Sequence, residues 1–337
     1  MTDTDLTVHN ATSFSDINTF ARCPKSYDYR VNQKLQARRR SVPLTMGSLV
    51  HEQIQGFYLG HLGDVRIEQE NRLQGEVVEF DDALMSLAVL VEDATSLVNR
   101  YIQHYSTDTW QPLHVEEQFF VQLAGNGRVL SFTPDLVVSD PNGDVWVVDH
   151  KTTSKRYPRA PQPMDNMTHQ PLLYLAGVQS VYPECRGFVF DFLRKKTPTA
   201  PRLTKQGTVA DINRIDTTAE MLVQFMMDEA PHLLDDPVHL NRAAELRITN
   251  PYFWRQTVYA TPQLLAQGMA DVMDWVTAMN YATAGDLYPR SFQGCDRCEF
   301  APLCHAELLV LPGVDDIKTT QYQPREPKNV YEAEGDE

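Results

Sequence analysis

Asp149 and Lys151 stand two residues apart at the end of Val145-Trp146-Val147-Val148, a run rich in β-branched and aromatic residues. In an extended strand both side chains leave one face, roughly 6.6 Å apart, while His150 points to the other. The preceding run, Val129 to Val138, is joined to this one by Asp140-Pro141-Asn142-Gly143, a turn signal, so Val129 to Lys151 reads as one β-hairpin. A three-residue loop, or one with a bulge, places Asp135 opposite Asp149; a plain two-residue loop would turn it away. We expect the shared face. Two carboxylates that close repel each other unless a divalent cation neutralises them, and a lysine beside such a cation can orient or polarise an attacking water.

Neighbouring elements must bring further ligands. Met46, Leu49, Val50, Ile54 and Phe57 recur at helical spacing, with Gly47 near the start and Gly60 at the end. His51 lies at the edge of that stripe, where a neutral imidazole is a third ligand if the helix packs over the hairpin. His114 to Leu123 alternates as a strand entering the hairpin through Gly125-Asn126-Gly127. Glu116 and Glu117 point to opposite sides of it, and whichever faces the acidic surface can support a second cation. After Lys151, the polar and proline-punctuated Thr152 to Pro163 is expected to be a loop lining a groove. A helix starting near Thr168 tolerates Pro171 in its first turn and sets Gln170 and Tyr174 on one face, an amide and a phenol suited to phosphate or base.

The scaffold follows from simpler patterns. Ser13 and Asp16 form a capping box for a first helix that Pro24 stops. Residues 61–80 read as a polar surface excursion, and Leu84 to Tyr105 as a long amphipathic helix. Gly187 to Leu193 reads as a strand. Residues 201–290 read as mainly helical around a Trp- and Tyr-bearing piece, Pro251 to Arg255, and the acidic residues from Gly313 on as a loosely held tail. The stretch Lys25, Tyr27, Tyr29, Arg30, Lys34, Arg38, Arg39 and Arg40 is either a phosphate- and base-binding strip or a solvated face.

Near the end, Cys295-Asp296-Arg297-Cys298 and then Cys304 have the spacing of metal ligands. A fourth ligand is needed. Cys23, far upstream, would complete an all-thiolate set and tie distant parts of the chain together, whereas His305 would favour a Cys₃His zinc site. Five cysteines in 337 residues are too few for a disulfide framework. The content of 42% hydrophobic and 22% charged residues is that of a soluble globular chain with room for one large domain or two smaller ones. No apolar run approaches the ~20 residues of a membrane span, and the acidic start lacks a signal pattern, so a cytoplasmic location is expected. A net charge of -15 argues against general coating of nucleic acid but leaves a local basic groove open.

Together these residues resemble the RecB-like branch of the PD-(D/E)XK nuclease superfamily, and within it the members with an iron-sulfur cluster, such as CRISPR-associated RecB-like exonucleases and AddAB-type nuclease domains. Gly47 with His51, Asp135, Asp149 to Thr152 and Gln170 to Tyr174 match its successive motifs; Cys23, Cys295, Cys298 and Cys304 match its cluster ligands. One departure is Phe132 where the second motif often has glycine. The resemblance implies an α/β, restriction-endonuclease-like mixed central sheet flanked by helices, with a helical insertion and a C-terminal cysteine region. It implies a Mg- or Mn-dependent DNA exonuclease in which Asp135, Asp149, His51 and the carbonyl of His150 hold the metal, Lys151 positions water, Glu116 assists, Gln170 and Tyr174 contact DNA or brace the site, and a 4Fe-4S cluster staples the fold. The corresponding divisions are 1–45 (first helix, basic segment and first cysteine), 46–200 (nuclease core), 201–290 (helical), 291–312 (cysteine region) and 313–337 (tail). Expected partners are DNA and proteins of recombination, repair or CRISPR adaptation, with processing of viral DNA another setting; no membrane is expected. A non-catalytic DNA-binding recombination accessory protein of the same fold and a zinc-stabilised interaction protein are the alternatives.

Overall fold

Ser13 opens the first helix as its spacing with Asp16 requires. Its hydroxyl accepts from the Asp16 N–H at 3.1 Å, and the Asp16 carboxylate accepts from the Ser13 N–H at 3.3 Å. In the computed structural model, which describes residues 11–38, 42–74, 77–80, 83–122, 129–156 and 168–325, strand β1 (Thr12–Ser13) leads into this helix, α1 (Phe14–Arg22). Cys23 separates it from α2 (Pro24–Tyr27), where proline suits a first turn that needs no N–H. A π-helical turn, Asp28–Asn32, and β2 (Leu35–Ala37) follow. Next come α3 (Val42–Tyr58), α4 (Leu62–Leu73), β3 (Val77–Phe80), β4 (Ala83–Ser86) and α5 (Leu87–His104). Helix α4 replaces the expected polar excursion. It is held by an amide network, Gln69 donating to the Leu49 carbonyl and to Glu52 at 3.2 and 2.7 Å, so apolar periodicity could not reveal it.

The middle of the chain supplies β5 (Gln111–Val115), β6 (Phe119–Gln122), β7 (Val129–Phe132), β8 (Leu136–Ser139), β9 (Val145–Thr153), α6 (His169–Gln179) and β10 (Cys185–Arg194). Thr168 caps α6 as expected, its hydroxyl accepting from the Gln170 N–H at 3.3 Å. Two further helices, α7 (Ala219–Glu229) and α8 (Pro237–Thr249), pack on each other through a core of their own that includes Leu222, Met226 and Leu246. Within the stretch expected to be mainly helical, the chain then returns to the sheet as β11 (Phe253–Tyr259) before α9 (Pro262–Gly285). The remaining elements are α10 (Ala301–Leu308), α11 (Val314–Gln321) and β12 (Tyr322–Pro324). Residues 314–325 are therefore not a loose tail: Tyr322 is buried, stacks on Phe300 and pairs with Ala37 of β2.

The central sheet is mixed, in the order β11-β10-β9-β8-β5, and its one parallel pair is β9 with β10. Val137, Val145, Val147, Phe188 and Phe190 pack on one face against α6 and α9. Leu136, Val138, Val148 and Val189 face the other way, where α3 and α5 bring Leu49, Val50, Leu97 and Tyr101. Among the described residues no helix is long and apolar enough to cross a membrane.

The expected hairpin from Val129 to Lys151 is correct in its second half and broken in its first. At Thr133-Pro134-Asp135 the chain leaves a three-stranded sheet, β1-β7-β6, and enters the central one. Proline cannot donate to a ladder, so a break at Pro134 costs nothing there. The expected strand His114 to Leu123 breaks alongside it, at Glu116-Glu117-Gln118. The two breaks are tied by the Glu116 N–H, which donates to the Asp135 carbonyl at 3.1 Å. The predicted turn at Gly125 to Gly127, Arg39, Arg40 and most of the loop from Thr152 to Pro163 lie outside the described residues.

Gly177 marks where α6 meets this smaller sheet. A Cβ there would sit 2.0 Å from Phe132 Cζ and 2.9 Å from Val121 Cγ2, and Phe132 cannot swing aside because it is stacked between Phe119 and Tyr174. Replacing a helical glycine by alanine ordinarily stabilises by about 1 kcal/mol. Gly177→Ala is expected to do the reverse, costing about 1–3 kcal/mol through overpacking, which urea unfolding measures as a lower midpoint.

Candidate metal centre

The two strand breaks aim the acidic side chains. In the β8–β9 ladder Leu136 pairs with Val148, so one step further Asp135 falls opposite Asp149, the register expected of a longer turn. Glu116 adopts a left-handed backbone with φ of 50°, a strained conformation for a residue with a side chain. Helix α3 lies over the break and contributes His51, whose Nδ1 is 3.3 Å from Asp135 Oδ2. The donor atoms of His51, Glu116 and Asp135 all lie within 4.8 Å of one another, the one such group among the described residues. Glu117, by contrast, is exposed and pairs with His114.

Asp149 stands beside this trio and is held by others. Its Oδ1 accepts from Gln170 Nε2 at 2.8 Å, its Oδ2 lies 2.5 Å from Lys151 Nζ, and Lys151 Nζ donates to Gln170 Oε1 at 3.3 Å. Tyr174, one turn after Gln170, is buried, with its ring stacked on Phe132 and edge-on to Phe14. Its phenol shares a hydrogen bond with Gln170 and lies at the edge of the acidic site, where burial and the charges of Asp149, Asp135 and Glu116 raise its pKa.

His150 behaves as strand alternation demands. Its backbone N–H donates to Asp135 Oδ2 at 2.6 Å, while its ring lies on the α3 side of the sheet, edge-on to His51, with Nδ1 3.5 Å from Asp135 Oδ2 and Nε2 3.2 Å from the Tyr101 hydroxyl. Tyr101 in turn donates to Asp191 at 3.0 Å, and Arg255 Nε donates to the same carboxylate at 3.2 Å. The Arg255 guanidinium is sandwiched between the rings of Tyr105 and Trp110 at 4.0 and 3.9 Å. Asp191 is wholly buried, and a buried carboxylate needs such pairing. Sequence reasoning missed this support, although a lone acid inside the apolar run Phe188 to Leu193 was the available signal.

The charges are mutually dependent. Burial opposes a charged imidazole at His51, yet the neighbouring Asp135 carboxylate lifts it to about 9. Burial would raise Asp135, but His51 and the hydrogen bonds from His150 and His51 hold it well below the usual carboxylate range. Burial, and then the Asp135 charge, push Glu116 up to about 7 and also raise Asp149. A protonated His51 thus supplies the positive charge that these acids require, at the place where the same three side chains would hold a divalent ion. Carboxylate oxygens with one imidazole suit Mg²⁺ or Mn²⁺. A cleft of about 680 Å³ opens onto His51 and Glu116, with Ser48, Gln55, Thr152 and Lys195 also in its wall.

A second constellation joins distant parts of the chain. Lys25 N–H donates to the Pro289 carbonyl at 3.2 Å, Tyr29 donates to Glu307 at 2.5 Å and packs on Phe300, and Arg30 pairs with Glu299 at 2.8 Å. Lys25, Tyr29 and Arg30 of the basic stretch are therefore spent on closure, with Lys25 also paired to Asp28 at 2.9 Å. The closure brings Cys23 near Cys298, both beside Ser26. Burial raises the Cys23 thiol, but hydrogen bonds from Ser291, Ser26 and Lys25 outweigh it and leave it below its ordinary value; Cys298, raised by burial, accepts from the Ser26 hydroxyl. Arg290 Nε donates to Cys304 Sγ at 3.2 Å. Cys295 and His305 are exposed.

No curated protein matches the chain. A crystal structure of a "putative exonuclease" from Eubacterium rectale is similar at 13% identity and a TM-score of 0.47, covering 88% of this chain and 90% of that one. The solved structure of SSO0001 is similar at 11% identity and a TM-score of 0.27, covering 68% and 79%. Neither likeness is close enough to carry an argument. The match that does carry one is a family model of the PD-(D/E)XK nuclease superfamily, which covers residues 11–305 and so takes in the acidic trio, Asp149, Lys151 and all the cysteines. The chain belongs to the PD-(D/E)XK nuclease superfamily.

Proposed function

We propose that the protein is a divalent-metal-dependent DNA exonuclease of the RecB-like type, stapled by a 4Fe-4S cluster on Cys23, Cys295, Cys298 and Cys304. The observation that carries the nuclease reading is the convergence of His51, Glu116 and Asp135 within 4.8 Å, with Asp149 and Lys151 beside them. His51, Asp135, Asp149 and Glu116, with the carbonyl of His150, hold Mg²⁺ or Mn²⁺. When bound, the metal supplies Lewis acidity toward the scissile phosphate and lowers the pKa of a coordinated water.

This chain's own groups do the rest. Lys151 reaches past Asp149 to orient the attacking water, and Gln170 fixes both partners by donating to Asp149 and accepting from Lys151. Tyr174 braces the turn that carries Gln170. For the cluster, the donor chemistry fits: four thiols, one with a lowered pKa and one already accepting from an arginine. Cys23 suits the fourth position better than His305, which follows Cys304 directly on α10 and so points about 100° away from it.

End-labelled single- and double-stranded DNA incubated with purified protein is expected to shorten progressively with Mn²⁺ or Mg²⁺ and to stay intact with EDTA. Intact DNA under every divalent metal, from folded protein, overturns the enzyme.

A further inference from the structure

The parallel pair β9 and β10 ends beside the metal centre, and in sheets of this kind ligands bind outside the carboxyl ends of parallel strands. Thr152 pairs with Leu193 and Thr153 with Arg194, so Lys155 and Arg156 leave one strand next to Lys195 and Lys196 leaving the other. Asp216 gathers part of this group. It takes Arg194 through two contacts at 2.7 and 2.9 Å, Lys196 at 2.9 Å and Arg156 at 3.6 Å. One carboxylate thus faces three cations, and Lys155 and Lys195 make no ion pair among the described residues. In a chain of net charge -15, this concentration of positive charge is local and lies against the cleft, where Lys195 shares a wall with His51, Glu116 and Thr152.

We propose that Lys155, Arg156, Lys195 and Lys196 form a phosphate track for a nucleic-acid strand, receiving the backbone on the side of the cleft beyond Thr152. The inference rests on the nuclease reading for the identity of the polyanion. Lys195, at the cleft wall, contacts the phosphate next to the scissile one. Arg156 and Lys196, both more than two-fifths exposed in their side chains, and the exposed Lys155 take the phosphates farther out. Arg194 stays with Asp216 and fixes the rim. Such contacts raise affinity without reading sequence, and each released counterion adds to the salt dependence.

The test is fluorescence anisotropy of the full chain with a labelled single-stranded oligonucleotide in EDTA, so that no hydrolysis is needed, at several salt concentrations. The combined variant Lys155→Ala, Arg156→Ala, Lys196→Ala is expected to bind at least about tenfold more weakly at low salt. The slope of log K against log salt should become shallower by about 2, for three lost phosphate contacts at about 0.7 each. Arg186→Ala, at the opposite end of β10 and paired with Asp144, is the control and should change neither. Equal affinity and slope in the triple variant, a loss matched by Arg186→Ala, or no binding by the unaltered protein overturns the track. Unaltered protein that binds DNA with this dependence yet cleaves none removes the nuclease reading and leaves the track standing.

Discussion

Lys151→Ala is expected to lower DNA hydrolysis at saturating metal and substrate by at least about a thousandfold, or about 4 kcal/mol at 1.36 kcal/mol per decade, while the protein stays folded. The expectation follows from where the ammonium sits. It is 2.5 Å from Asp149 and bonded to Gln170, and a charged ammonium has no lone pair with which to ligate a cation, so its loss should leave Mn²⁺ affinity within a few-fold of the original. General acid–base and positioning groups contribute about 10²–10⁴-fold. Circular dichroism and Mn²⁺ titration separate the outcomes. A rate within tenfold of the original, in a folded variant that binds metal, removes Lys151 from the chemistry. Asp135→Asn should instead lose metal affinity first, because the same carboxylate faces His51 and takes the His150 N–H.

Cys23→Ser is expected to yield colourless protein and to lower the thermal midpoint by about 5–10 °C, for a loss of several kcal/mol at roughly 2–4 °C per kcal/mol. Protein purified without oxygen should be brown before the change. The reason lies in the reach of the contacts: Cys23 ends α1, and its neighbours Lys25, Tyr29 and Arg30 all bond to residues between 289 and 307. A metal group bridging those segments contributes its binding free energy to folding. Nuclease activity should fall in step with the folded fraction, leaving kcat per folded molecule nearly unchanged. Colourless unaltered protein with one zinc per chain removes the cluster, and an unchanged midpoint in Cys23→Ser removes its role as a staple.

Much of the site was legible in residue spacing. Strand alternation placed Asp149 apart from His150, a longer or bulged turn was expected to set Asp135 opposite Asp149, and the stripe from Met46 to Phe57 put His51 on a helix that had only to pack over the hairpin. What could not be read were the interruptions. Val129 to Val138 is as strand-like in composition as any run in the chain, and only Pro134 hinted at the passage from one sheet to the other. Glu116 could not be chosen over Glu117 by alternation, because a left-handed residue ends the alternation at that point. Helix α4 and the support behind His150 stayed hidden for a shared reason: buried amides, phenols and carboxylates hold them, and polar periodicity is indistinguishable from a solvated face. The segment 314–325 looked loose because its composition is acidic, whereas three apolar anchors, Val314, Ile317 and Tyr322, pack it against the closure.

The contacts of Lys25, Tyr29 and Arg30 with residues 289–307 also set an order of events on the ribosome. At about 5–20 residues per second, Tyr29 emerges well over ten seconds before Phe300 and Glu307 exist. The sheet from β5 to β10 is meanwhile complete enough to fold, so Cys23 and its aromatic neighbours must wait beside an already structured body. That interval is when a chaperone has most reason to engage the nascent chain, and when an oxidant has the freest access to Cys23.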